Sequence, residues 1–359
     1  MSPAAPLKAG VGPLIAASLI DITTHLTNPA IRSTLVQVSC RKGWLRVHML
    51  QAQVVPTTHK GDQGHGADAK LEHPKFQLYY SQPGGQLHIG DSLKWLASLQ
   101  ESTADLIFAD PPYNINKAEW DDFDSQNEYI EWSMQWIEQA ARVLKPDGSM
   151  YICGFSEILA DLKHPASKFF KSCRWLIWHY KNKANLGNDW GRSHESIIHF
   201  RKTTRVRLNI DHVRIPYGAH TLKYPSHPQA ATSQYGNGKK RDNWVPHPLG
   251  AKPKDVIDIP TTCNGMEEKT PHPTQKPEEL VRKFVLASSN EGDVVLDPFS
   301  GSGTTIVVAE QLGRRWLGCD ISTQYNEWAV ERLKNVRRMT IQEWIKYDKQ
   351  VAARRESIR

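Results

Sequence analysis

The 359-residue chain predicts an α/β fold built on buried parallel strands, and three stretches carry that expectation. Residues 294–305 read VVLDPFSGSGTT, in which an apolar run ends in Asp297 and a glycine–serine turn opens a helix at Thr304. A second apolar run, 106–109, closes on Asp110-Pro111-Pro112-Tyr113-Asn114. A third, 315–319, ends in Asp320. Short apolar runs bounded by turn residues are how strands buried on both faces read in sequence. Ligands of such sheets sit beyond the carboxyl ends of the strands, where all three acids fall.

Taken in order, residues 1–80 show little periodicity and are expected to form a loosely ordered extension with a small element around 35–54. Regular structure is expected from Gln86, with a short strand at 87–89 running into Gly90-Asp91 and Ser92 capping a helix over 93–99. Ile130, Met134, Ile137, Ala141 and Leu144 recur at helical spacing, and Lys145-Pro146-Asp147-Gly148 stops that helix before a strand at 150–154. Strands follow at 175–180 and 196–200. From 201 to about 269 periodicity fades, and eleven Arg and Lys face three Asp between 201 and 255, with Tyr217, Tyr224, Tyr235 and Trp244 interleaved. A solvated charged loop and a DNA-contacting insertion both fit that composition, since neutralising phosphates takes such a patch. After His272-Pro273-Thr274-Gln275-Lys276-Pro277, Leu280, Val281, Phe284 and Val285 give a helix its inner face. The three acid-tipped elements then finish with helices around 304–312 and 325–336, and a charged helical tail over 338–359.

Composition narrows the class. A net charge of +7 fits a polyanionic partner, and 39% hydrophobic residues with 12 Trp supply a core. Five cysteines without C-x-x-C spacing argue against a disulfide framework or a metal site and for a reducing compartment, the cytoplasm. No apolar run reaches the roughly 18 residues of a membrane span.

The motifs narrow the chemistry. Gly301-x-Gly303-x-x is followed by Ile306, so the dinucleotide fingerprint is incomplete, and no phosphate loop is present. Asp297 puts negative charge into the turn, which suits a ligand ammonium better than a pyrophosphate, and S-adenosylmethionine carries that ammonium. Asp320 is spaced to accept from ribose hydroxyls. A tight turn with no ligand is the bland alternative, disfavoured because strand, acid, turn, helix, strand and second acid arrive in sequence. The Asp110–Tyr113 stretch suits an exocyclic amine, whose lone pair is delocalised into its ring. Acceptors for both amine protons, the Asp110 carboxylate and the Pro111 carbonyl, would draw that nitrogen towards tetrahedral geometry, with Pro111 and Pro112 stiffening the turn. Tyr113 offers a flat face to a base taken out of its stack.

Together these stretches resemble the β-group amino-methylating DNA methyltransferases, the HinfI- and RsrI-type and cell-cycle-regulated adenine enzymes, over about 86–336. The catalytic motif first, a variable region next, then the His272–Pro277 and Asp297–Thr305 stretches is that group's circular order. The resemblance implies an S-adenosylmethionine-dependent methyltransferase fold (Rossmann-like, a mostly parallel seven-stranded sheet). It implies a catalytic half at 86–200, a target-recognition insertion at 201–269 and a cofactor half at 270–337. It implies that Asp297, Phe299, Gly301, Ser302, Gly303 and Thr304 hold the methionine part of the cofactor and Asp320 its ribose. Lys276 would close over the cofactor and Asp91 would face its adenine. Lys181, Asn182 and Arg192, near the catalytic pocket, and Lys239, Lys240 and Arg241, in the variable region, are the expected DNA contacts. His194 and Glu195 read either as catalytic-pocket residues or as plain strand-edge polar groups, with the lean towards the pocket. Double-stranded DNA is the expected partner, with a second copy of the chain and a restriction endonuclease as family-derived additions. Asp110 favours adenine N6 over cytosine N4, with RNA as a further acceptor. A non-catalytic nucleic-acid-binding relic would have a damaged motif, and Asp110–Tyr113 is intact. Cytosine C5 methylation needs a cysteine nucleophile, typically after proline, and no cysteine here follows one.

Overall fold

A computed structural model describes residues 37–41, 44–48 and 76–357, except 116–120, 122, 182–187, 189, 226 and 230–240, with the backbone alone given for the two N-terminal strands and for 227–229, 241–244, 352, 356 and 357. The chain divides into two units, 1–70 and 71–359. In the first, β1 (Gln37–Arg41) and β2 (Trp44–His48) pair as an antiparallel hairpin, inside the small element expected at 35–54. The remainder of the expected loose extension up to residue 75 lies outside the described residues.

The second unit is organised by one nine-stranded sheet. Its first elements are β3 (Phe76–Gln82), β4 (Gly85–Gly90), α1 (Ser92–Ser98), β5 (Ala104–Ala109), α2 (Gln126–Val143), β6 (Leu144–Gly154) and α3 (Ser156–Ala166). They are followed by β7 (Ser172–His179), β8 (His194–Arg201), α4 (Ala219–Lys223), β9 (His227–Gln229), β10 (Arg241–Trp244) and β11 (Val256–Asp258). The chain ends through α5 (Glu278–Ser288), β12 (Val294–Asp297), α6 (Thr304–Gln311), β13 (Arg315–Asp320), α7 (Thr323–Lys334) and α8 (Ile341–Ser357). Across the sheet the order is β11-β7-β8-β6-β5-β12-β13-β4-β3. Only β8 and β3 run against the rest.

Period-two alternation builds a core on each face of this sheet. All six residues of β5 are buried; Leu106 and Phe108 join the cluster packed by α5 and α6, while Ala104, Ile107 and Ala109 join the one packed by α1, α2 and α3. On β12, Val295 and Leu296 divide the same way. Fully buried Trp136 of α2 and Trp316 of β13 anchor opposite faces. Asp105 fastens the start of the central pair, accepting from the Val294 amide at 2.9 Å and pairing with Lys145 at 2.7 Å.

Three expectations are corrected. Phe76–Gln82 is the antiparallel edge partner of β4, so the expected loose extension cannot run to 80. The sheet has nine strands, β3 and β11 adding one at each edge of the expected seven. Asp91 caps α1, accepting from the Leu93 and Lys94 amides, while Ser92 donates instead to the Pro298 carbonyl. Parts of the 201–269 stretch are continuous with the body. Asn209 bonds Ala287, Leu286 and Ser289 behind α5, and β11 pairs with β7. Ile215 and Ala251 meet in an isolated antiparallel bridge. The tail helix α8 docks on α5 through Arg282–Asp348 at 3.3 Å, Arg355–Glu279 at 2.7 Å and buried Trp344.

Candidate active site

Adjacent parallel strands β5, β12, β13 and β4 open at the same end of the sheet, and their last residues or the turns after them meet around one cavity of about 430 Å³. Asp110, Asp297, Asp320 and Asp91 all line it, as do Pro111, Pro112 and Tyr113. The strand-end acids expected from sequence are thus brought together by topology alone.

The glycine turn is shaped by backbone that only glycine adopts readily. Gly301 and Gly303 sit at φ +49° and +80°. A Cβ on Gly303 would come 2.6 Å from the Cβ of Ala329 on α7, so the turn can lie against that helix only without a side chain. The Gly301 amide donates to Asp320 at 2.7 Å and the Ser322 amide to its other oxygen at 2.9 Å. Arg332 holds the turn from below, donating to the Ser302 carbonyl at 2.8 Å and to Thr304 Oγ1 at 3.0 Å, and it pairs with Glu278 at 2.7 Å. Phe299 leaves the turn to pack on Trp132 and Trp136 of α2.

Asp297 is almost fully buried and, among the described residues, has no ion-pair partner. Burial pushes its carboxyl up to about 7, held down in part by Thr305 and by the Phe299 amide at 3.0 Å and pushed up further by Asp110 and Asp320. Burial likewise lifts Asp320 to about 6 against its amide donors. Two buried carboxylates beside a glycine turn are short of positive charge, and a ligand ammonium would supply it. His272 stands over the turn, its ring edge-on to Tyr325, and burial lowers it to about 4 so that it stays neutral.

The other half of the cavity is a charge cluster. Lys276 Nζ lies 2.6 Å from Asp110 Oδ2 and 3.4 Å from Glu195 Oε2. The Tyr113 hydroxyl donates to Asp110 Oδ1 at 2.6 Å and lies 3.4 Å from the same Glu195 oxygen. Burial disfavours the Lys276 cation, but Asp110 and Glu195 more than offset that and hold it charged. Burial and the same two carboxylates push the Tyr113 phenol well up, so it keeps its proton. Asp121 fixes the chain after the motif, accepting from the Tyr113 and Asn114 amides at 2.6 Å each and from Ile115 at 3.2 Å.

The other expected residues have surroundings of their own. Lys276 faces Asp110 as well as the cavity, and Asp91 spends its carboxylate on the α1 cap and on Lys94 at 3.0 Å. Arg192 is paired with Glu157 at 2.8 Å and lies 3.8 Å over the Phe155 ring, which itself contacts Tyr113. Lys181 is exposed; Asn182, Lys239 and Lys240 lie outside the described residues, and Arg241 is described by its backbone in β10 only. Sequence reasoning missed Trp132, Phe123, Asp121 and Tyr325 as cavity residues. For Asp121, Phe123 and Trp132 the one advance signal was the acidic and aromatic density after Asn114; Tyr325 had none.

Comparison with known proteins agrees with this geometry. Residues 104–331 match a family described as DNA methylase, the N6/N4 methyltransferases. The type II methyltransferase M.HpaI of Haemophilus parainfluenzae is 35% identical over 255 residues, spanning 69% of this chain and 74% of that protein. The DNA adenine methyltransferase YhdJ of Escherichia coli K12 is 34% identical, spanning 68% of this chain and 81% of that protein. The solved PvuII cytosine-N4-specific DNA methyltransferase shares the fold at 19% identity and TM-score 0.54, over 76% of this chain and 93% of that one.

Proposed function

We infer from one premise, that the chain belongs to the N6/N4 DNA methylase family, that it moves the methyl group of S-adenosylmethionine onto the exocyclic N6 of adenine in duplex DNA. The observation that carries this reading is the joint lining of one cavity by Asp110–Tyr113 and by the Asp297–Thr305 turn.

The cavity suits the cofactor by size and by charge. About 430 Å³ lies within the usual range for a small-molecule site. Asp297 would take the ammonium, Asp320 the ribose, and the glycine turn the methionine chain, with Phe299 as an apolar wall. Bound there, S-adenosylmethionine supplies a methyl carbon already activated by its sulfonium sulfur; the new N–C bond forms as the S–C bond breaks, and the electron pair leaves on sulfur.

The chain's own groups prepare the other reactant. Asp110 and the Pro111 carbonyl accept the amine protons of a base turned out of the duplex, so that the nitrogen lone pair points away from the ring. Pro111 and Pro112 keep those acceptors in register, and Asp121 clamps the turn behind them. Once the nitrogen carries the methyl group, its surplus proton is acidic, and Asp110 is the adjacent base. Tyr113 walls the base site with its ring and spends its hydroxyl on Asp110.

Cytosine N4 is the second reading, favoured by the likeness to the PvuII enzyme and compatible with the same acceptors. On this reading residues 201–269 supply target recognition, with Lys181, Asn182, Arg192, Lys239, Lys240 and Arg241 on the DNA side. The enzyme works in the cytoplasm, with a second copy of itself and a restriction endonuclease as partners to test. Incubating unmethylated DNA with labelled S-adenosylmethionine, then analysing nucleosides, tests the reaction. N6-methyladenine supports the first reading, N4-methylcytosine the second, and unlabelled DNA refutes both.

A further inference from the structure

We propose that Glu195 is a positioning residue that receives two donors, the Lys276 ammonium and the Tyr113 hydroxyl, when Asp110 releases them to take the target amine. The proposal rests on the function proposed above and adds a residue to it.

Both oxygens of Asp110 are engaged, Oδ1 by Tyr113 and Oδ2 by Lys276, each at 2.6 Å. A carboxylate so engaged is a weakened acceptor, because a cation at hydrogen-bond distance withdraws the negative charge that would orient the amine. For Asp110 to act, at least one donor must turn away without being stranded in a buried site, where an unpaired ammonium is costly. Lys276 is only 6% exposed, so a protein acceptor beside it is better placed than bulk water to take that place. Glu195 can. Its Oε2 is 3.4 Å from both donor atoms, a side-chain rotation short of a full bond to either.

The fold places Glu195 there deliberately in the physical sense. It is the second residue of β8, it is 8% exposed, and it pairs across the strand with Trp178 of β7. The ring of Trp178 is in turn 6.0 Å beneath Lys276. A carboxylate kept at that depth needs partners, and Lys276 and Tyr113 are both within reach. If Glu195 merely balanced the lysine charge, any carboxylate at this position would serve. If it must receive the donors as they swing over, its reach matters as well as its charge.

That difference is testable with Glu195→Gln and Glu195→Asp in the full-length protein. Unmethylated DNA would be used in single-turnover methylation, with calorimetric S-adenosylmethionine affinity and thermal melting measured alongside. The expected order is wild type, then Asp down about 10-fold, then Gln down about 100-fold in rate, the scale of one charged group in a buried catalytic site. Cofactor affinity should stay within about twofold for both, because Glu195 does not line the glycine-turn half of the cavity. An Asp variant at the wild-type rate would reduce Glu195 to charge balance and overturn the proposal. So would a Gln variant within threefold of wild type, or rate losses matched by equal losses of cofactor affinity. Should the Gln variant melt early, the Asp variant alone decides, since it keeps the charge and withdraws only the reach. A wild-type protein that labels no DNA refutes the underlying function instead, and that result needs no variant.

Discussion

Lowering the pH from 7.5 to 6 should weaken S-adenosylmethionine binding, and Asp297 sets the size of the effect. Its carboxyl is lifted to about 7 by burial, and by Asp110 and Asp320, against the Thr305 and Phe299 donors. The ammonium binds the ionised form. One unit below that value only about a tenth of the population is ionised, so the apparent Kd at pH 6 should be about 10-fold above its plateau, or about 1.4 kcal/mol. The ligand's own amino group stays protonated across most of this window, as an α-amino group titrates near 8. Asp320, lifted to about 6, adds a second proton below that pH and steepens the fall. Binding near pH 6.5 should also release a proton, visible as a dependence of the calorimetric heat on buffer ionisation enthalpy. The sign for the free protein is opposite. A raised carboxyl contributes stability that is present below its unfolded value near 4 and is lost as pH rises through about 7, so bound ligand restores what ionisation removes. The assay is calorimetric titration from pH 5.5 to 7.5 on wild type and Asp297→Asn. The Asn variant should bind more weakly at pH 7.5, by about 10-fold or more, with a flatter profile. A wild-type affinity that is level from pH 6 to 7.5, or an Asn variant that tracks wild type, would refute the reasoning.

Three further outcomes are expected. Asp110→Asn should lower the single-turnover methylation rate by roughly 10²–10⁴-fold while filter-binding affinity for DNA stays near wild type, because the lost group acts on the reacting nitrogen. Gly303→Ala should cost about 2–4 kcal/mol, from left-handed strain at φ +80° and from the 2.6 Å approach to Ala329, and should lower the melting temperature by on the order of 10 °C in scanning calorimetry. Removing residues 1–70 should leave labelled methyl transfer within about twofold of wild type, since the sheet and the cavity are built from Phe76 onwards.

The elements legible in sequence were those whose signal is local. The runs at 106–109, 294–297 and 315–320 stand out because both faces of each strand are buried, and α2 because its apolar stripe repeats over eighteen residues. Strand β3 was hidden because FQLYYSQ is an edge strand, half exposed, paired on one side only, and without clean alternation. Strand β11 was hidden because three residues carry no period, and only the β7 edge makes them a strand. Asp91 and Ser92 are both good capping residues side by side. What separates them is a bond from Ser92 to Pro298, a residue some two hundred positions away that no local window contains. The site divides in the same manner. Asp110, Asp297 and Asp320 were visible as acids at strand ends. The pairing of Lys276 with Asp110, and the place of Glu195 beside both, arise where strands distant in sequence become neighbours.

The bridge between Ile215 and Ala251 has an evolutionary consequence. Two backbone hydrogen bonds, at 3.0 and 2.8 Å, close the base of a long excursion, with Arg214 donating to Gly250 beside them at 2.9 Å. The sheet therefore meets that excursion as a fixed pair of stumps, whatever is spliced between them. Doubling the length of the spliced segment would cost about 0.6 kcal/mol in loop closure, well below what one misplaced core side chain costs. No described residue between Ile215 and Ala251 lines the cavity, so that segment can be exchanged as a tool head on a common handle without touching the cavity wall.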